Sequence, residues 1–283
     1  FCNAGFDILG NNSMVPYVGN VWINLVICGL IIAGGLGFVV WIDLRLSLIH
    51  YREHFKYFKM KRYLESLSLH TKIALISTFV LIFGGMTVIF ILEFQNPLTL
   101  KSLPFSQKIL ASFFQSVTLR TAGFATVDMA SLHQATKFFM SIIMFIGGSP
   151  GSTAGGVKTV TIAVMLICLI SNLRNKSGYN VFRRRLPLNV VINALCVIVI
   201  HLTLSLSGTL LICAVQPELA VGDVVFECFS AMGTVGMSTG ITRDLTVLPQ
   251  IVLILLMFSG RIGSLSFAMI FTEKKQKDVL LFP

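Results

Sequence analysis

Long apolar stretches constrain the fold of this chain more than any other feature of its sequence. A helix of about 18 apolar residues is long enough to cross roughly 30 Å of hydrocarbon. Stretches of that length occur at residues 18–42, 71–92, 188–215 and 246–272. Charged residues make up only 12% of the 283 residues, against roughly 25% in soluble domains. Because backbone polar groups in lipid must be satisfied within the protein, the sequence predicts an all-α membrane protein.

Basic residues lie in three groups between or after these spans. The net charge is +10, and the groups occupy residues 45–62, 174–185 and 274–277. Loops rich in lysine and arginine stay in the cytoplasm, so we expect these segments on the inner side of the membrane. This sorting argues against nucleic acid as a partner. Membrane lipids are a partner that it allows, since residues 183–185 could bind acidic headgroups.

A short motif occurs three times, with its glycines about 115 residues apart. Each copy has a small polar residue, a small apolar residue, a glycine and then phenylalanine or methionine. We call the copies loops A, B and C. They begin with Asn3, Ala4 and Gly5 in loop A, Thr121, Ala122 and Gly123 in loop B, and Thr234, Val235 and Gly236 in loop C. Because glycine allows backbone angles closed to other residues, the motif predicts re-entrant loops whose carbonyls could replace the hydration shell of an ion.

The motifs belong to a repeating order of segments. Residues 105–118 and 221–232 are too short to cross a bilayer, and they lead into loops B and C. A complete unit therefore has a span, a half-span, a glycine loop and a second span. We assign residues 1–70, 71–187 and 188–283 to successive units, of which the first is incomplete. Acidic residues near the outer ends could raise the local cation concentration; they are Asp7, Asp128, Asp223, Glu227 and Asp244.

A second interruption of apolar sequence lies within residues 136–171. We call residues 147–156 the central loop, and its small or polar members include Gly147, Gly148, Ser149, Gly151, Ser152, Thr153, Gly155 and Gly156. Such a run cannot form a regular helix, and at membrane depth it must line a cavity or pack against protein. Arg261 lies deep in the last span, where an arginine is costly and indicates a function. The alternatives are a kink between packed half-helices and an arginine that caps carbonyls.

The central loop also resembles a phosphate-binding loop, because Lys158 and Thr159 follow its last glycine. However, Val157 separates that glycine from the lysine, and no strand precedes the run. We therefore expect membrane backbone here, with Lys158 snorkelling or binding a carbonyl.

Several functions fit a membrane protein with such loops. One copy of the motif would indicate only a tight turn with a glycine cap. Three copies in equivalent settings favour an ion pathway, because a dehydrated monovalent cation needs several oxygen ligands at once. A structural scaffold is an alternative that the three loops argue against. A membrane component of a cation-pumping ATPase is another, and because the sequence has no catalytic constellation we do not predict an enzyme.

These motifs resemble those of a known family. Loops A, B and C, the central loop and residues 260–263 are similar to segments of the Ktr/Trk/HKT superfamily of potassium transporters, closest to the membrane subunit of its Ktr branch. The resemblance implies four M1-P-M2 repeats around one pore, in which M1 and M2 are spans and P is the short pore helix. This chain then contains the end of repeat two and all of repeats three and four, while repeat one is absent.

The resemblance also implies a function and partners. It implies K+ as the transported substrate, Na+ as a coupling ion, no cofactor in this subunit, and a bacterial plasma membrane as the location. A homodimer and a cytosolic nucleotide-binding regulatory ring of the KtrA type are implied as well. In this interpretation loops A, B and C form the ion-selecting filter, and the central loop is an intramembrane gate below that filter. Arg261 repels cations and holds the gate closed.

Overall fold

A computed structural model describes residues 13–54, 60–174, 180–181, 184–185 and 187–262. Loop A, with Asn3, Ala4 and Gly5, lies outside these residues, as do Asp7 and the basic tail. Regular structure in the described ranges is almost entirely helical. The helices are α1 (Val21–Leu36), α2 (Phe38–His54), α3 (Met60–Ser66), α4 (Leu69–Glu93), α5 (Phe105–Thr118), α6 (Gln134–Phe145), α7 (Thr159–Leu173), α8 (Leu188–Val215), α9 (Val221–Gly233) and α10 (Val247–Ile262).

The remaining regular structure is short. Two 3₁₀ turns cover Val15–Tyr17 and Ile241–Arg243, the first before α1 and the second between loop C and α10. Two-residue strands, β1 (Asn180–Val181) and β2 (Arg184–Arg185), pair antiparallel in the second basic segment. The predicted all-α fold is confirmed apart from this ribbon.

Two of the predicted spans, 71–92 and 188–215, agree with long apolar helices of the structure. Within the described ranges, α4 and α8 are long and apolar enough to cross a membrane, and α1 with α2 would form a third span if that bent pair is counted as one. Shorter apolar helices, α7 and α10, follow the central loop and loop C. The short helix predicted at 105–118 has those bounds as α5. The chain is therefore a membrane protein whose short helices alternate with full-length ones.

The prediction of one uninterrupted span at 18–42 is wrong. The apolar run breaks at Gly37, where α1 and α2 meet at an angle of 89°. Gly37 has a φ of 82°, and the N–H of Phe38 donates to the carbonyl of Gly151 at 3.1 Å. The indole of Trp41 donates to the carbonyl of Ala33 at 2.9 Å, which satisfies one group that the break exposes. The bend therefore accommodates the central loop.

The first basic segment, expected as a loop, is partly helical. Helix α2 continues to His54, and α3 follows as a short separate helix. The hydroxyl of Tyr63 donates to the carbonyl of Leu44 at 3.0 Å, and the N–H of Ser68 donates to a carboxylate oxygen of Asp43 at 3.0 Å. These bonds fold the segment back along α2 before α4 begins.

Close backbone approaches hold α9 between its neighbours. A Cβ built on Gly233 would lie 2.4 Å from the carbonyl oxygen of Met144 in α6, and one built on Gly260 of α10 would lie 1.9 Å from the carbonyl oxygen of Met232. Small residues allow helices in a membrane to pack at such distances. The short helix α9 is therefore fixed on two sides by contacts that exclude a side chain.

An ion pair joins the units assigned as 71–187 and 188–283. Lys137 of α6 contacts a carboxylate oxygen of Asp223 at 2.7 Å, with side chains only 5% and 17% exposed. Asp223 lies in the first turn of α9, where a negative charge also complements the helix dipole. The expectation that Asp223 serves to attract cations is therefore wrong, because its charge is neutralised by Lys137.

Glu93 at the end of α4 forms a second buried polar cluster. Its carboxylate accepts from Asn96 at 2.7 Å, from Thr99 at 2.7 Å and from the N–H of His133 at 3.0 Å, and it also accepts from the hydroxyl of Thr136. Because the last two donors lie at the start of α6, Glu93 fixes α4 to α6.

Gly260→Ala is expected to destabilise the protein by about 1–3 kcal/mol, because the added methyl group would overlap the backbone of Met232. Gly84→Ala in α4 is the control, since no atom of the described part of the chain lies within 4 Å of its built Cβ and alanine favours a helix by about 0.5–1 kcal/mol over glycine. Thermal unfolding of each variant in detergent measures the difference. Equal melting temperatures for the two variants would contradict the close approach of α9 and α10.

Candidate functional site

Loops B and C adopt the same backbone conformation. The φ angles are 63° at Thr121 and 52° at Thr234, and they are 87° at Gly123 and 86° at Gly236. A residue other than glycine with positive φ is uncommon and marks strain that the surrounding structure must sustain. The two loops therefore share a local geometry as well as a sequence pattern.

The two loops contact each other directly. A Cβ built on Gly123 would lie 2.6 Å from the carbonyl oxygen of Val235 and 3.4 Å from the Cα of Gly236. Ala122 and Val235 are buried. The contact between the two loops is therefore made by backbone atoms. Gly123 of loop B thus meets Val235 and Gly236 of loop C, while Asn3, Ala4 and Gly5 of loop A lie outside the described residues.

Each loop begins where a short helix ends. The N–H of Ala122 donates to the carbonyl of Thr118 at 3.0 Å, and the N–H of Val235 donates to that of Ser230 at 2.9 Å. Helices α5 and α9 therefore direct their C-terminal ends into loops B and C. Those ends carry a partial negative charge, which favours a cation nearby.

In each loop, a side chain of the preceding short helix accepts hydrogen bonds from the residues that follow the loop glycine. We call these hydrogen bonds the brace. The carboxylate of Glu227 in α9 accepts from the N–H of Thr239 at 2.9 Å, from the hydroxyl of Ser238 at 2.6 Å and from that of Thr242 at 2.8 Å. In α5 the amide of Gln115, oriented by its hydrogen-bond network, accepts from the N–H of Thr126 at 2.9 Å. Thr126 and Thr239 each follow the loop glycine by three residues.

The brace corrects the interpretation of Glu227. The sequence suggested an acidic residue that attracts cations, whereas the carboxylate is buried and holds loop C through several hydrogen bonds. Gln115 was not identified from the sequence at all. The signal that could have found it is its position eight residues before Gly123, close to the nine that separate Glu227 from Gly236.

A cavity of about 1130 Å³ runs beside loop C. Its wall includes the loop from Thr234 to Ser238, Met257 and Phe258 of α10, and two arginines, Arg243 and Arg261. Arg243 follows loop C, on the side of the 3₁₀ turn, and Arg261 lies near the end of α10. The cavity therefore extends along loop C between the two arginines.

Backbone hydrogen bonds join the two ends of the central loop, and we call this joined part its neck. The N–H of Gly147 donates to the carbonyl of Val157 at 2.8 Å, and the N–H of Val157 donates to that of Phe145 at 3.2 Å. The N–H of Thr159 donates to the carbonyl of Gly148 at 3.0 Å, and its hydroxyl lies 3.2 Å from that of Ser149. These bonds tie the end of α6 to the start of α7, so the central loop is a folded element rather than a kink.

The central loop packs against loop C. A Cβ built on Gly155 would lie 2.1 Å from the hydroxyl oxygen of Thr234, and one built on Gly156 would lie 3.3 Å from the Cα of Gly233. On its other side, the N–H of Ser149 donates to the carbonyl of Gly35 in α1 at 2.9 Å. The predicted gate residues thus lie directly against the start of loop C and the bend between α1 and α2.

Two positively charged side chains donate hydrogen bonds to consecutive carbonyls of the central loop. Arg261 donates through Nη1 to the carbonyl of Thr153, and the ammonium of Lys158 donates to the carbonyl of Ala154 at 2.5 Å. Of the two positions expected for Lys158, the structure shows the carbonyl contact. Both bonds satisfy backbone groups that lie outside any helix.

Glu227→Ala is expected to increase amide hydrogen exchange at Thr239 by about tenfold or more. The reason is that a buried donor left without its acceptor costs about 1–3 kcal/mol. Glu227→Gln keeps an acceptor for that N–H and should have a smaller effect, while Glu218→Gln alters an exposed carboxylate and serves as the control. Hydrogen–deuterium exchange with mass spectrometry measures the rates. Unchanged exchange in Glu227→Ala would show that the carboxylate does not hold loop C.

Comparison with known proteins agrees with this fold. Residues 1–280 match the family model described as "TrkH: Cation transport protein". The potassium transporter TrkH of Vibrio parahaemolyticus has a solved structure that matches with a TM-score of 0.73 at 19% sequence identity. The match covers 96% of this chain and 56% of that one.

Two curated relatives are more similar in sequence. "Ktr system potassium uptake protein B" of Bacillus subtilis is 39% identical over 279 residues, covering 99% of this chain and 59% of the relative. "Potassium/sodium uptake protein NtpJ" of Enterococcus hirae is 36% identical over 266 residues, covering 93% of this chain and 55% of the relative. The chain thus spans little more than half the length of these relatives. On the match over residues 1–280, the chain belongs to the TrkH family of cation transport proteins.

Proposed function

We propose that this chain forms the ion-translocating core of a membrane-embedded potassium uptake protein. The observation that carries the proposal is the direct contact between two glycine loops of the same strained geometry, each entered by a short helix. A strained backbone that recurs twice and meets at one junction is typical of a ligand site rather than of packing. The names of the relatives, which are potassium or potassium/sodium uptake proteins, support K+ as the substrate.

In this proposal the backbone of the loops selects the ion. Carbonyl oxygens of Thr121, Ala122, Gly123, Thr234, Val235 and Gly236, with loop A as a further contributor, would replace the water around K+. Glu227 and Gln115 hold the loops so that their spacing resists collapse around a smaller ion. The helix ends of α5 and α9 add a partial negative charge without placing a full charge in the membrane.

The same proposal assigns a role to each segment of the chain. Residues 71–187 and 188–283 are complete units of span, pore helix, glycine loop and second span, and residues 1–70 supply a loop and a second span. The similar geometry of loops B and C supports the equivalence of the last two units. The unit boundaries themselves rest on the sequence pattern.

The central loop serves as the gate. It packs against the start of loop C, and Arg261 and Lys158 bind its carbonyls. An obstruction held by two cations slows permeation in two ways, because it fills the pathway and because its positive charges repel K+. Opening requires that the loop release both cations or move together with them.

Partners and location rest on the resemblance to the Ktr branch and on the relatives. They include a homodimer, a cytosolic nucleotide-binding ring of the KtrA type, Na+ as a coupling ion and a multi-pass topology in a bacterial plasma membrane. The Enterococcus hirae relative, named as a potassium/sodium uptake protein, supports Na+. The basic segments offer an inner surface on which a cytosolic ring could assemble.

Gly236→Ser is expected to reduce the preference for K+ over Na+ by about five- to thirtyfold, because serine at positive φ strains the loop by about 1–2 kcal/mol. Among the described residues the nearest atom lies 3.8 Å from the built Cβ, so these residues leave space for the side chain. Gly123→Ser should abolish transport, because its Cβ would overlap the carbonyl of Val235. Uptake of each ion by the intact protein in liposomes provides the measurement.

Gly240→Ser is the matched control for backbone strain. Gly240 has a φ of 102°, no atom of the described residues lies within 4 Å of its built Cβ, and it follows residues 234–236, which are proposed to bind the ion. The Gly240→Ser variant should therefore keep its preference for K+ over Na+. If Gly236→Ser and Gly240→Ser keep the same selectivity, the loops are a packing device. If uptake requires a nucleotide-hydrolysing partner, the protein is a pump component instead.

Arg261→Gln is expected to raise K+ flux by about tenfold or more, because a hydrogen bond from a charged donor contributes about 1.5–3 kcal/mol. Lys158→Gln should also raise it, and the double variant should raise it further. Arg243→Gln removes a charge from the other end of the same cavity and should leave the closed state intact. Flux at a fixed K+ gradient in liposomes distinguishes the variants. Lower flux in Arg261→Gln than in the unmodified protein would contradict a gate held by this arginine.

A further inference from the structure

An apolar groove of about 430 Å³ lies between α4 and α7, apart from the glycine loops. Its walls include Ile73, Ile76 and Val80 of α4 and Ala163, Leu166 and Ile167 of α7. Ile76, Val80 and Leu166 are more than half exposed in the described part of the chain. The groove is therefore a recess in a helical face that passes through the hydrocarbon of the membrane, as the length of α4 indicates.

The neck of the central loop forms the end of the groove that lies deeper in the membrane. Ile146 and Thr159 line the groove, and they are the residues through which the neck closes. Ile146 forms a bridge with Val157, while the N–H of Thr159 donates to the carbonyl of Gly148 at 3.0 Å. Whatever fills this groove contacts both sides of the neck.

Basic side chains lie at the cytoplasmic end of both walls. Lys72 precedes Ile76 and Val80 by four and eight residues, so the three share one face of α4. Arg174 follows Ile167 by seven residues and shares its face at the end of α7, where it is exposed. Each apolar wall of the groove thus leads to a positive charge at the end of its helix.

The dimensions fit one lipid chain. Helix α7 has 15 residues, so the groove residues from Ile167 to Thr159 lie about 10–22 Å along the helix from Arg174. One leaflet of the hydrocarbon core is about 15 Å thick, which is the reach of one acyl chain. On α4 the groove begins at Ile73, next to Lys72, and ends at Leu81, about 12 Å further along the helix. A headgroup at the level of Lys72, within reach of the Arg174 side chain, therefore places the end of its chain against the neck.

We propose that this groove binds one acyl chain of an anionic phospholipid, with its phosphate beside Lys72 and Arg174 and its chain end at Ile146 and Thr159. Apolar walls at this depth suit a hydrocarbon chain, and the two basic residues favour a negative headgroup. The ammonium of Lys72 donates to the carbonyl of Glu65 at 2.8 Å and has further N–H donors for a phosphate. The site is distinct from the ion pathway but shares the residues that close the neck of the central loop. Phospholipid composition thereby acts on the gate of the proposed transporter.

The test uses the intact protein in vesicles that contain a trace of photoactivatable phosphatidylglycerol or photoactivatable phosphatidylcholine, with the reactive group near the end of one acyl chain. Mass spectrometry of proteolytic peptides then locates the adducts. We expect adducts in the peptides containing residues 73–81 and 146–167, with phosphatidylglycerol preferred by about fivefold or more. Each basic residue near a headgroup contributes a factor of about five.

Two sets of variants test binding of the acyl chain and binding of the headgroup separately. Ala163→Phe fills the groove and should reduce these adducts about tenfold, whereas Leu169→Phe changes an exposed residue on the same helix outside the groove and should leave them. Lys72→Gln with Arg174→Gln should abolish the preference for phosphatidylglycerol. Adducts spread evenly over the apolar surface, adducts that survive Ala163→Phe, or equal labelling by both lipids would overturn the proposal. A groove closed to both lipids, as expected if another protein segment fills it, would overturn it as well.

Discussion

Backbone groups that lie outside helices at membrane depth are the constraint on which this structure depends. The central loop interrupts a span, so its carbonyls and N–H groups must find partners within the protein. It finds them in every described unit: Gly35 in α1, Val157 at its own neck, and Arg261 in α10. The bend at Gly37 and the position of α10 therefore follow from the need to satisfy this one loop.

The same loop connects the two parts of the proposed pathway. Gly155 and Gly156 lie against Thr234 and Gly233, where α9 ends and loop C begins. At Gly155 the contact leaves no room even for a methyl group, so a movement of the central loop would displace the start of loop C. In the proposed function, selection of the ion by loop C and closure by the central loop are thus physically coupled. The brace from Glu227 lies at the far end of loop C and leaves its beginning free to respond.

Local sequence predicted those elements whose boundaries are local. Helix α5 begins after Pro104 and ends before the glycine motif, and both signals were readable, so its bounds agree with the prediction. The bend at Gly37 was missed because it depends on a contact with Gly151, more than a hundred residues away. Asp223 and Glu227 were identified as acidic residues near the pathway, but their partners lie on other segments and the sequence alone does not show them.

In the proposed function, loops B and C together form a cation site at their junction. Anomalous diffraction from crystals of the intact protein soaked in a thallium salt tests it, because Tl+ resembles K+ and scatters strongly. We expect a density peak at the junction of the two loops, in contact with their carbonyl oxygens, and its loss when excess K+ is added. A peak found only elsewhere, or none at a concentration that saturates transport, would contradict the assignment of these loops as the filter.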